Sequence, residues 1–321
     1  MLPSKDRLTI CFAHVAYRMQ ERFALRNTGI ASIEVRNRDA LDARIAEADV
    51  LLCSGLWRND LIPHAPKLRF VQSISAGVDQ YDKAAFAAAG IRLASAQGVN
   101  ARAVSEHAMA LILALARRLP EARDNQAKRV WRGMLGDLTQ REDELGGKTL
   151  LVVGLGRIGN RLAELAKAFD MRVLATRRDP AAGGDAHEVH GMSALKSLLP
   201  QADFVALTCP LTPETERLIN AETLALLKPS AALVNVARGR CIDEAALIEA
   251  LGAGRLTAAA LDTTVEEPLA PASPLWAMPN VFVTPHTAGE TRRYEDNVLD
   301  ILLENLDRLW RGETVLSNQI V

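Results

Sequence analysis

A glycine-rich turn near the middle of the chain constrains its fold more than any other feature. Residues 150–153 form an apolar run, and glycines follow at G-x-G-x-x-G spacing at Gly154, Gly156 and Gly159. Residues 160–169 then carry apolar side chains at helical spacing, so the pattern predicts a buried strand, a tight turn and a helix. In such a unit the first glycine permits the turn, the second lets the backbone approach a pyrophosphate, and the third lets helix and strand pack closely.

The residues after the next strand bear on which dinucleotide such a turn would bind, although glycine turns of this spacing also occur for steric reasons alone. A second strand is predicted over residues 171–176, where an acidic residue would bond the 2′-hydroxyl of NAD. This strand ends instead in Thr176, Arg177 and Arg178. Two guanidinium groups suit a 2′-phosphate, so we expect NADP. NAD is the alternative, because arginines after a strand can also be solvated or stack on adenine.

The composition is that of a soluble globular protein with room for two domains. The chain has 321 residues, of which 49% are hydrophobic and 24% charged, and its formal net charge is −1. This balance lacks the basic surface that nucleic acids or anionic membranes attract, so we expect small-molecule partners. The four cysteines are scattered without metal-ligand spacing, which favours a reduced cytoplasmic compartment and no metal site. No secretory signal is recognised, and the apolar stretch 108–116 is about half a membrane span.

The first hundred residues predict an α/β unit of their own. Strands are expected over residues 8–13, 50–53 and 67–74, with a crossover helix over 41–48. The third strand ends in the small-residue turn 75–79, whose exposed N–H groups can hold a carboxylate, an ordinary βα turn being the alternative. The loop after the second strand contains Leu56, Trp57 and Arg58, which are candidates for a substrate pocket or surface residues beside a turn.

A long helical pattern and a polar stretch follow. Residues 100–118 are apolar at helical spacing and predict a helix that joins two domains; we interpret His107 on it as structural. Residues 120–144 are polar and contain Trp131. An aromatic residue in such a stretch indicates an interface, or a tryptophan packed on its own loop.

The remaining predicted strands end in residues that carry chemistry. The strand over 202–208 is followed by Cys209 and Pro210, where a loop can cover the adenosine half of a dinucleotide. The strand over 231–237 ends at Arg238. The strand over 256–261 ends at Asp262, with Glu267 five residues later, and the strand over 281–284 leads to His286. Because carboxyl ends of parallel strands meet at one edge, we expect these side chains to converge. An arginine can bind a carboxylate, a histidine can transfer a proton, and a glutamate can orient the histidine ring. This combination suits hydride transfer at a carbonyl beside a carboxylate. Each alone is also compatible with a loop salt bridge or a cap.

These motifs together resemble the D-specific 2-hydroxyacid dehydrogenase family, in particular its glyoxylate and hydroxypyruvate reductases, over nearly the whole chain. The segments that carry the resemblance are 75–79, 154–159, 235–239, 261–262 with 267–268, and 284–289. The resemblance implies an α/β protein of two Rossmann-like or flavodoxin-like parallel-sheet domains with a cleft between them. It implies a discontinuous substrate-binding domain of residues 1–99 plus 289–321 and a dinucleotide-binding Rossmann domain of residues 100–288. It also implies a homodimer built through the nucleotide domains, which gives Trp131 its interface.

The resemblance implies roles for individual residues. His286 is expected to be the acid/base, Glu267 its partner, and Arg238 the residue that orients the substrate, while the backbone of Ala76 and Gly77 holds the substrate carboxylate. Asp262 is expected to bond the nicotinamide amide, with Val104 against the ring and Arg157 and Ile158 along the pyrophosphate. The expected cofactor-binding residues are Val104, Gly154, Gly156, Arg157, Ile158, Gly159, Thr176, Arg177, Arg178, Cys209, Pro210, Ala237, Asp262 and His286.

The expected reaction is hydride transfer between NAD(P)H and a small 2-oxo or D-2-hydroxy acid, with glyoxylate or hydroxypyruvate as substrate. One alternative is a phosphite-type dehydrogenase on the same scaffold; formate enzymes of this type depart at the position of Glu267. The other is a non-catalytic NAD(P)-sensing regulator. The complete set of catalytic residues and the lack of low-complexity extensions favour an enzyme.

Overall fold

The computed structural model describes residues 2–321, apart from the side chain of Thr139. The chain divides into two compact units. The first consists of Met1–Asn100 with Thr291–Val321, and the second of Ala101–Glu290. Each unit is built on a parallel β-sheet. Within the described residues, no helix is both long and apolar enough to cross a membrane.

Helices pack on the faces of these two sheets, except Leu119–Ala127, which buries no side chain. Those of the first unit come from both ends of the chain, α1 to α3 and α10, and the second unit contains the others. In chain order they are α1 (Met19–Ala24), α2 (Arg38–Arg44), α3 (Lys83–Ala89), α4 (Ala101–Ala116), α5 (Leu119–Ala127), α6 (Arg157–Ala168), α7 (Leu195–Leu198), α8 (Ala221–Leu224), α9 (Glu244–Gly252) and α10 (Tyr294–Trp310).

The first unit has the strand order of flavodoxin-like folds. Its strands are β1 (Thr9–Ala13), β2 (Ala31–Val35), β3 (Val50–Cys53), β4 (Phe70–Ser73) and β5 (Arg92–Ala94). They pair in parallel in the order β2-β1-β3-β4-β5. In β1, Ile10 and Phe12 enter one apolar core while Cys11 and Ala13 enter the other. A sheet covered on both faces explains why β1 and β3 are nearly continuous apolar runs.

Helix α10 closes one face of this first sheet although it lies at the other end of the sequence. Its inward side chains include Val298, Leu302 and Leu306, all fully buried. Asn305 on the same helix donates from Nδ2 to Gln72 Oε1 of β4 at 3.0 Å, and both residues are buried. A paired amide in an apolar core fixes one docking position for the helix, since an unpaired one is costly.

The second unit has the strand order of dinucleotide-binding folds. Its strands are β6 (Thr149–Val153), β7 (Arg172–Arg177), β8 (Glu188–Gly191), β9 (Phe204–Leu207), β10 (Ala232–Asn235), β11 (Ala258–Leu261) and β12 (Val281–Val283). They are parallel in the order β12-β11-β10-β9-β6-β7-β8. The register aligns one row of residues near their carboxyl ends: Val283, Leu261, Asn235, Leu207, Val153 and Thr176. The loops after these strands therefore leave the same edge of the sheet.

The two parallel sheets confirm the predicted α/β fold class. Apolar runs predicted the central strands well: residues 150–153 were expected where β6 lies, and 50–53 match β3. The edge strands β2, β5 and β8 and the short helix α1 were not predicted. An edge strand such as β8 is half exposed and polar, so it lacks the continuous apolar run of a central strand.

Candidate active site

The glycine turn after β6 has the steric character that its spacing predicts. Gly154 has φ +101°, and a Cβ added there would lie 2.6 Å from the Cα of Cys209. A Cβ on Gly159 would lie 2.6 Å from the carbonyl oxygen of Gly154. Both positions therefore exclude a side chain. At Gly156 an added Cβ would meet no described atom within 4 Å, so this side of the turn is open.

The helix that begins at this turn adds hydrogen-bond donors. Gly156 is the N-cap of α6, and the first-turn N–H groups of an α-helix have no intrahelical acceptor. Arg157 is exposed and Ile158 half-buried on that first turn. A turn closed at Gly154 and Gly159 but open at Gly156, in front of a helix N-terminus, fits a dinucleotide pyrophosphate.

The end of β7 presents its two arginines differently. The buried Thr176 hydroxyl has no hydrogen-bond partner among the described residues. Arg177 is half-buried and donates to the carbonyl of Gly183. Arg178 is exposed and forms no ion pair or hydrogen bond with any residue between 2 and 321. The first carboxylate after the strand, Asp179, accepts from Ala181 N at 3.1 Å and so caps its own turn.

The loop after β9 packs against the glycine turn. Cys209 is buried there, and the exposed Pro210 accepts from Thr215 Oγ1 through its carbonyl at 2.7 Å. A hydrogen bond with Cys241 and burial raise the pKa of the Cys209 thiol above its ordinary value. The pKa of Glu214 in this loop is lowered, first by a hydrogen bond with Thr212, then by one with its own backbone, and also by the charge of Arg178.

Arg238 follows β10 in a turn that a buried amide holds. Asn235 Oδ1 accepts from Ala237 N, and its Nδ2 donates to the carbonyl of Arg238, both at 3.0 Å. Arg238 is half-buried and uses Nη1 to reach the carbonyl of Ala237 at 2.7 Å. Its remaining N–H groups have no hydrogen-bond acceptor among residues 2–321. Asn235 was missed by sequence reasoning, although a polar residue closing a buried apolar strand is a usable signal.

Glu267 contacts His286 and is itself fixed by the neighbouring loop. Glu267 Oε2 lies 2.7 Å from His286 Nδ1, and its Oε1 accepts from Thr264 N at 3.1 Å. A Cβ added to Gly239 would lie 2.0 Å from the carbonyl of Thr264, so the turn that carries Arg238 packs directly on this loop. Nδ1 of His286 is thus engaged by Glu267, while its Nε2 has no hydrogen-bond partner among the described residues.

The backbone around His286 is tightly constrained. His286 has φ +55°, a region that non-glycine residues rarely occupy. The buried carboxylate of Asp262 accepts from the two amides that follow His286. Thr287 N donates to Oδ1 and Ala288 N to Oδ2, both at 3.0 Å. Asp262 therefore anchors the loop that carries His286. Its bond to a nicotinamide amide stays a prediction.

His107 has a polar contact that sequence reasoning missed. Its Nε2 lies 3.0 Å from Thr284 Oγ1, which in turn donates to Asp262 Oδ1 at 2.6 Å. Val104, one turn earlier on α4, is buried in the apolar cluster between α4 and α6. Residues three apart lie on the same face of a helix, so the buried Val104 could have indicated that His107 also lies near the inward face.

The predicted carboxylate-binding turn of the first unit lies after β4. Ala76 is exposed and Gly77 half-buried, and neither amide has a hydrogen-bond acceptor within residues 2–321. Beside them, Ser54 Oγ lies 2.7 Å from Ser75 Oγ and accepts from Gln80 Nε2 at 3.0 Å. The turn thus exposes backbone donors at the carboxyl edge of its sheet.

The loop after β3 was expected to line a substrate pocket or to lie on the surface, but its side chains pack into the core or form ion pairs. Trp57 is buried in the core of the first unit, with its ring 5.1 Å from that of Phe86. Leu56 is buried beside it. Arg58 pairs with Asp42 at 3.0 Å and Asp60 at 3.1 Å. Trp57 is therefore a core residue rather than a surface one, and the guanidinium of Arg58 already has two carboxylate partners.

The second unit thus combines a turn fitted to a pyrophosphate with a histidine–glutamate pair and an arginine on one sheet edge. In the described part of the chain, no group of three His, Cys, Asp or Glu side chains is arranged to hold a metal ion. A dinucleotide fold with a proton-transfer pair and an anion-binding cation defines a nicotinamide-dependent oxidoreductase.

Comparison with known proteins specifies the family. The model of the D-isomer specific 2-hydroxyacid dehydrogenase NAD-binding domain matches residues 109–288. The glyoxylate reductase of Aeropyrum pernix is 38% identical over 84% of this chain and 82% of its own length. Glyoxylate/hydroxypyruvate reductase B of Yersinia enterocolitica is 35% identical over 95% of this chain and 93% of its own. The chain belongs to the D-isomer specific 2-hydroxyacid dehydrogenase family and is an NAD(P)-dependent oxidoreductase.

Solved structures agree with this assignment. A D-isomer specific 2-hydroxyacid dehydrogenase family protein from Aeromonas salmonicida superposes with a TM-score of 0.85 at 30% identity, covering 98% of this chain and 99% of that one. The chain also matches D-3-phosphoglycerate dehydrogenases, but it spans only 54% of the length of that from Mycobacterium bovis and 52% of that from Methanocaldococcus jannaschii. The predicted family, fold class and enzyme class are confirmed.

Proposed function

We propose that this enzyme uses NADPH to reduce a small 2-oxo acid, glyoxylate or hydroxypyruvate, to the D-2-hydroxy acid. In this proposal His286 is the acid/base, Glu267 orients it, and Arg238 binds the substrate's oxygens. The observation that carries it is the 2.7 Å contact between His286 Nδ1 and Glu267 Oε2. This pair lies at the same sheet edge as Arg238, because Asn235, Leu261 and Val283 are in register.

The residues support a proton transfer coupled to reduction of a carbonyl. The nicotinamide cofactor, when bound, supplies the hydride. His286, engaged by Glu267 through Nδ1, donates a proton from Nε2 to the substrate's oxygen as negative charge develops there. Arg238 stabilises that charge and the neighbouring carboxylate with the N–H groups it does not use on Ala237. Glu267 is held by Thr264 N, so the ring it orients keeps one direction.

Further contacts belong to the same proposal. The free amides of Ala76 and Gly77 support binding of a carboxylate by backbone donors. For the cofactor, we propose that Val104 packs on the nicotinamide ring and that Asp262 bonds its amide. The substrate names of the two curated relatives support a small 2-oxo acid.

The preference for NADPH rests on the end of β7. Arg178 is exposed and unpaired in the described chain, so its guanidinium is available to a 2′-phosphate. Asp179 caps its own turn instead of offering a free carboxylate to a ribose hydroxyl. The bond of Arg177 to Gly183 favours the alternative, NAD, because it occupies one of the two cations.

We also propose a homodimer in the cytoplasm. The segment that follows α5 exposes large apolar side chains, with Trp131 96% and Leu138 73% exposed, and a second copy of the chain would cover them. The four free and buried cysteines suit a reducing compartment. Sedimentation equilibrium tests the dimer: a mass of two chains supports it, and a monomer excludes it.

The test is a panel of substrates with both cofactors, followed by loss of NAD(P)H absorbance. Glyoxylate, hydroxypyruvate, bulkier 2-oxo acids and 3-phosphohydroxypyruvate are each run with NADPH and with NADH. We expect the highest kcat/KM for glyoxylate or hydroxypyruvate with NADPH. A preference for a bulky or phosphorylated acid would refute the substrate, and equal kcat/KM with NADH would refute the cofactor. Phosphite with NADP⁺ is the remaining arm; turnover there alone would establish the phosphite-type alternative.

A further inference from the structure

The histidine on α4 reaches the loop of His286 through a single hydroxyl group. His107 Nε2 lies 3.0 Å from Thr284 Oγ1 and 3.5 Å from Asp262 Oδ1. Thr284 Oγ1 donates to Asp262 Oδ1 at 2.6 Å. These residues come from a helix and from the ends of two adjacent strands, β11 and β12.

The direction of these hydrogen bonds follows from the number of available hydrogens. A carboxylate only accepts, so the one hydroxyl hydrogen of Thr284 goes to Asp262. The Thr284 oxygen must then accept from His107, which places a hydrogen on Nε2 of that ring. The chain runs from His107 to Thr284 to Asp262, and consecutive bonds of this kind strengthen one another in a buried setting.

Asp262, at the end of this chain, holds the backbone after His286, and the backbone carbonyl of Thr284 holds the amide of His286 itself. The backbone carbonyl of Thr284 accepts from His286 N at 3.0 Å. Asp262 accepts from Thr287 N and Ala288 N, immediately after His286. His286 itself has a positive φ that its own side chain does not favour, so its conformation depends on these neighbouring bonds.

We propose that His107 is a positioning residue for the reaction: through Thr284 and Asp262 it holds the turn that aims the His286 ring at the substrate's oxygen. The inference rests on the proposed role of His286. Packing of α4 does not require His107, because buried apolar residues such as Ala108, Leu111 and Ile112 make the helix's contacts. The side chain of His107 is about a quarter exposed, at 24%, so replacing it leaves little buried surface unfilled.

Matched variants at two positions test the chain of bonds. His107→Leu and Thr284→Val remove a hydrogen bond while keeping similar shape, whereas His107→Gln and Thr284→Ser keep a polar group at the same place. We expect the first pair to lose about tenfold in kcat, equivalent to ~1.4 kcal/mol, with cofactor Kd within about twofold of wild type. The second pair should stay within about twofold of wild-type kcat, because a hydrogen bond to the next member remains possible.

Hydrogen exchange of the protein without cofactor gives a readout that does not depend on the reaction. The amides of residues 286–288 should exchange faster in His107→Leu and Thr284→Val, and at the wild-type rate in His107→Gln and Thr284→Ser. Unchanged kcat and unchanged exchange in His107→Leu would overturn the proposal. So would a loss of kcat as large in His107→Gln as in His107→Leu. If the wild type turned over no substrate of the panel, the proposed function would fail, while the exchange data would still decide the positioning.

Discussion

Two parts of the same sheet edge are held in contrasting ways. At the ends of β10 to β12, buried side chains bind the loop backbone: Asn235 holds the turn of Arg238, and Asp262 holds the turn after His286. At the end of β7, Asp179 caps its own turn and Arg177 donates to the carbonyl of Gly183, but Arg178 is exposed and has no ion pair in the described chain. In the first region buried polar side chains hold the backbone of the residues proposed to act, whereas in the second one of the two arginine side chains has no partner in the described chain.

The difference follows from what each region is proposed to do. Proton transfer requires donor and acceptor within hydrogen-bond distance and in line, so a ring that moves by an ångström loses much of its effect. Recognition of a phosphate depends on charge, and the energy between charges falls only as the inverse of their distance. An exposed arginine is therefore sufficient at β7, whereas His286 needs a fixed backbone.

The largest effect is expected in the loops after β10 to β12, which we call the constrained end. His286→Asn should lower kcat about 10²- to 10⁴-fold, because the general acid is lost, and should leave cofactor Kd nearly unchanged, because the imidazole acts on the substrate. Single-turnover kinetics and fluorescence titration of NADPH measure the two quantities. A variant that retains most of the wild-type kcat would remove His286 from the mechanism.

A smaller effect tests whether packing maintains the constrained end. Gly239→Ala puts a Cβ 2.0 Å from the Thr264 carbonyl, and the loop of Glu267 must move. We expect a loss of about 2–3 kcal/mol in the free energy of unfolding, as for an overpacked core, measured by urea denaturation. Gly156→Ala is the control: its Cβ meets nothing within 4 Å, so stability should change by less than ~0.5 kcal/mol. Equal stability of both variants would show that the two loops do not depend on close contact.

The smallest effect is expected at the end of β7, where Arg177 and Arg178 lie. Arg178→Ala should weaken NADPH binding by about tenfold, or ~1.4 kcal/mol, and leave NADH binding unchanged, since only NADPH carries the 2′-phosphate. Arg177→Ala should cost less, because that guanidinium is already bonded to Gly183. Titrations of both cofactors with both variants measure this. Equal losses for NADH and NADPH would contradict the assignment of NADP.

Much of the fold and part of the candidate site could be predicted from local patterns. The glycine spacing predicted the turn after β6, and apolar runs predicted the strands that Arg238 and His286 follow. Position after a buried parallel strand is enough to put a residue at the sheet edge. The pair formed by His286 and Glu267 was also expected, and the two lie 2.7 Å apart. The edge strand β8 escaped prediction because a half-exposed strand has no distinctive apolar pattern.

The supporting contacts could not be predicted in the same way. His107 and Thr284 are 177 positions apart in the chain, and nothing in the residues near either one indicates the other. Whether Arg177 or Arg178 is free likewise depends on where the carbonyl of Gly183 comes to lie. The sequence by itself determines which side chains stand at a sheet edge, because the residue spacing and apolar pattern of a short segment predict a strand and the residues that follow it. Strand register and loop packing assign those groups their partners, because hydrogen bonds form only where folding brings distant atoms within about 3 Å.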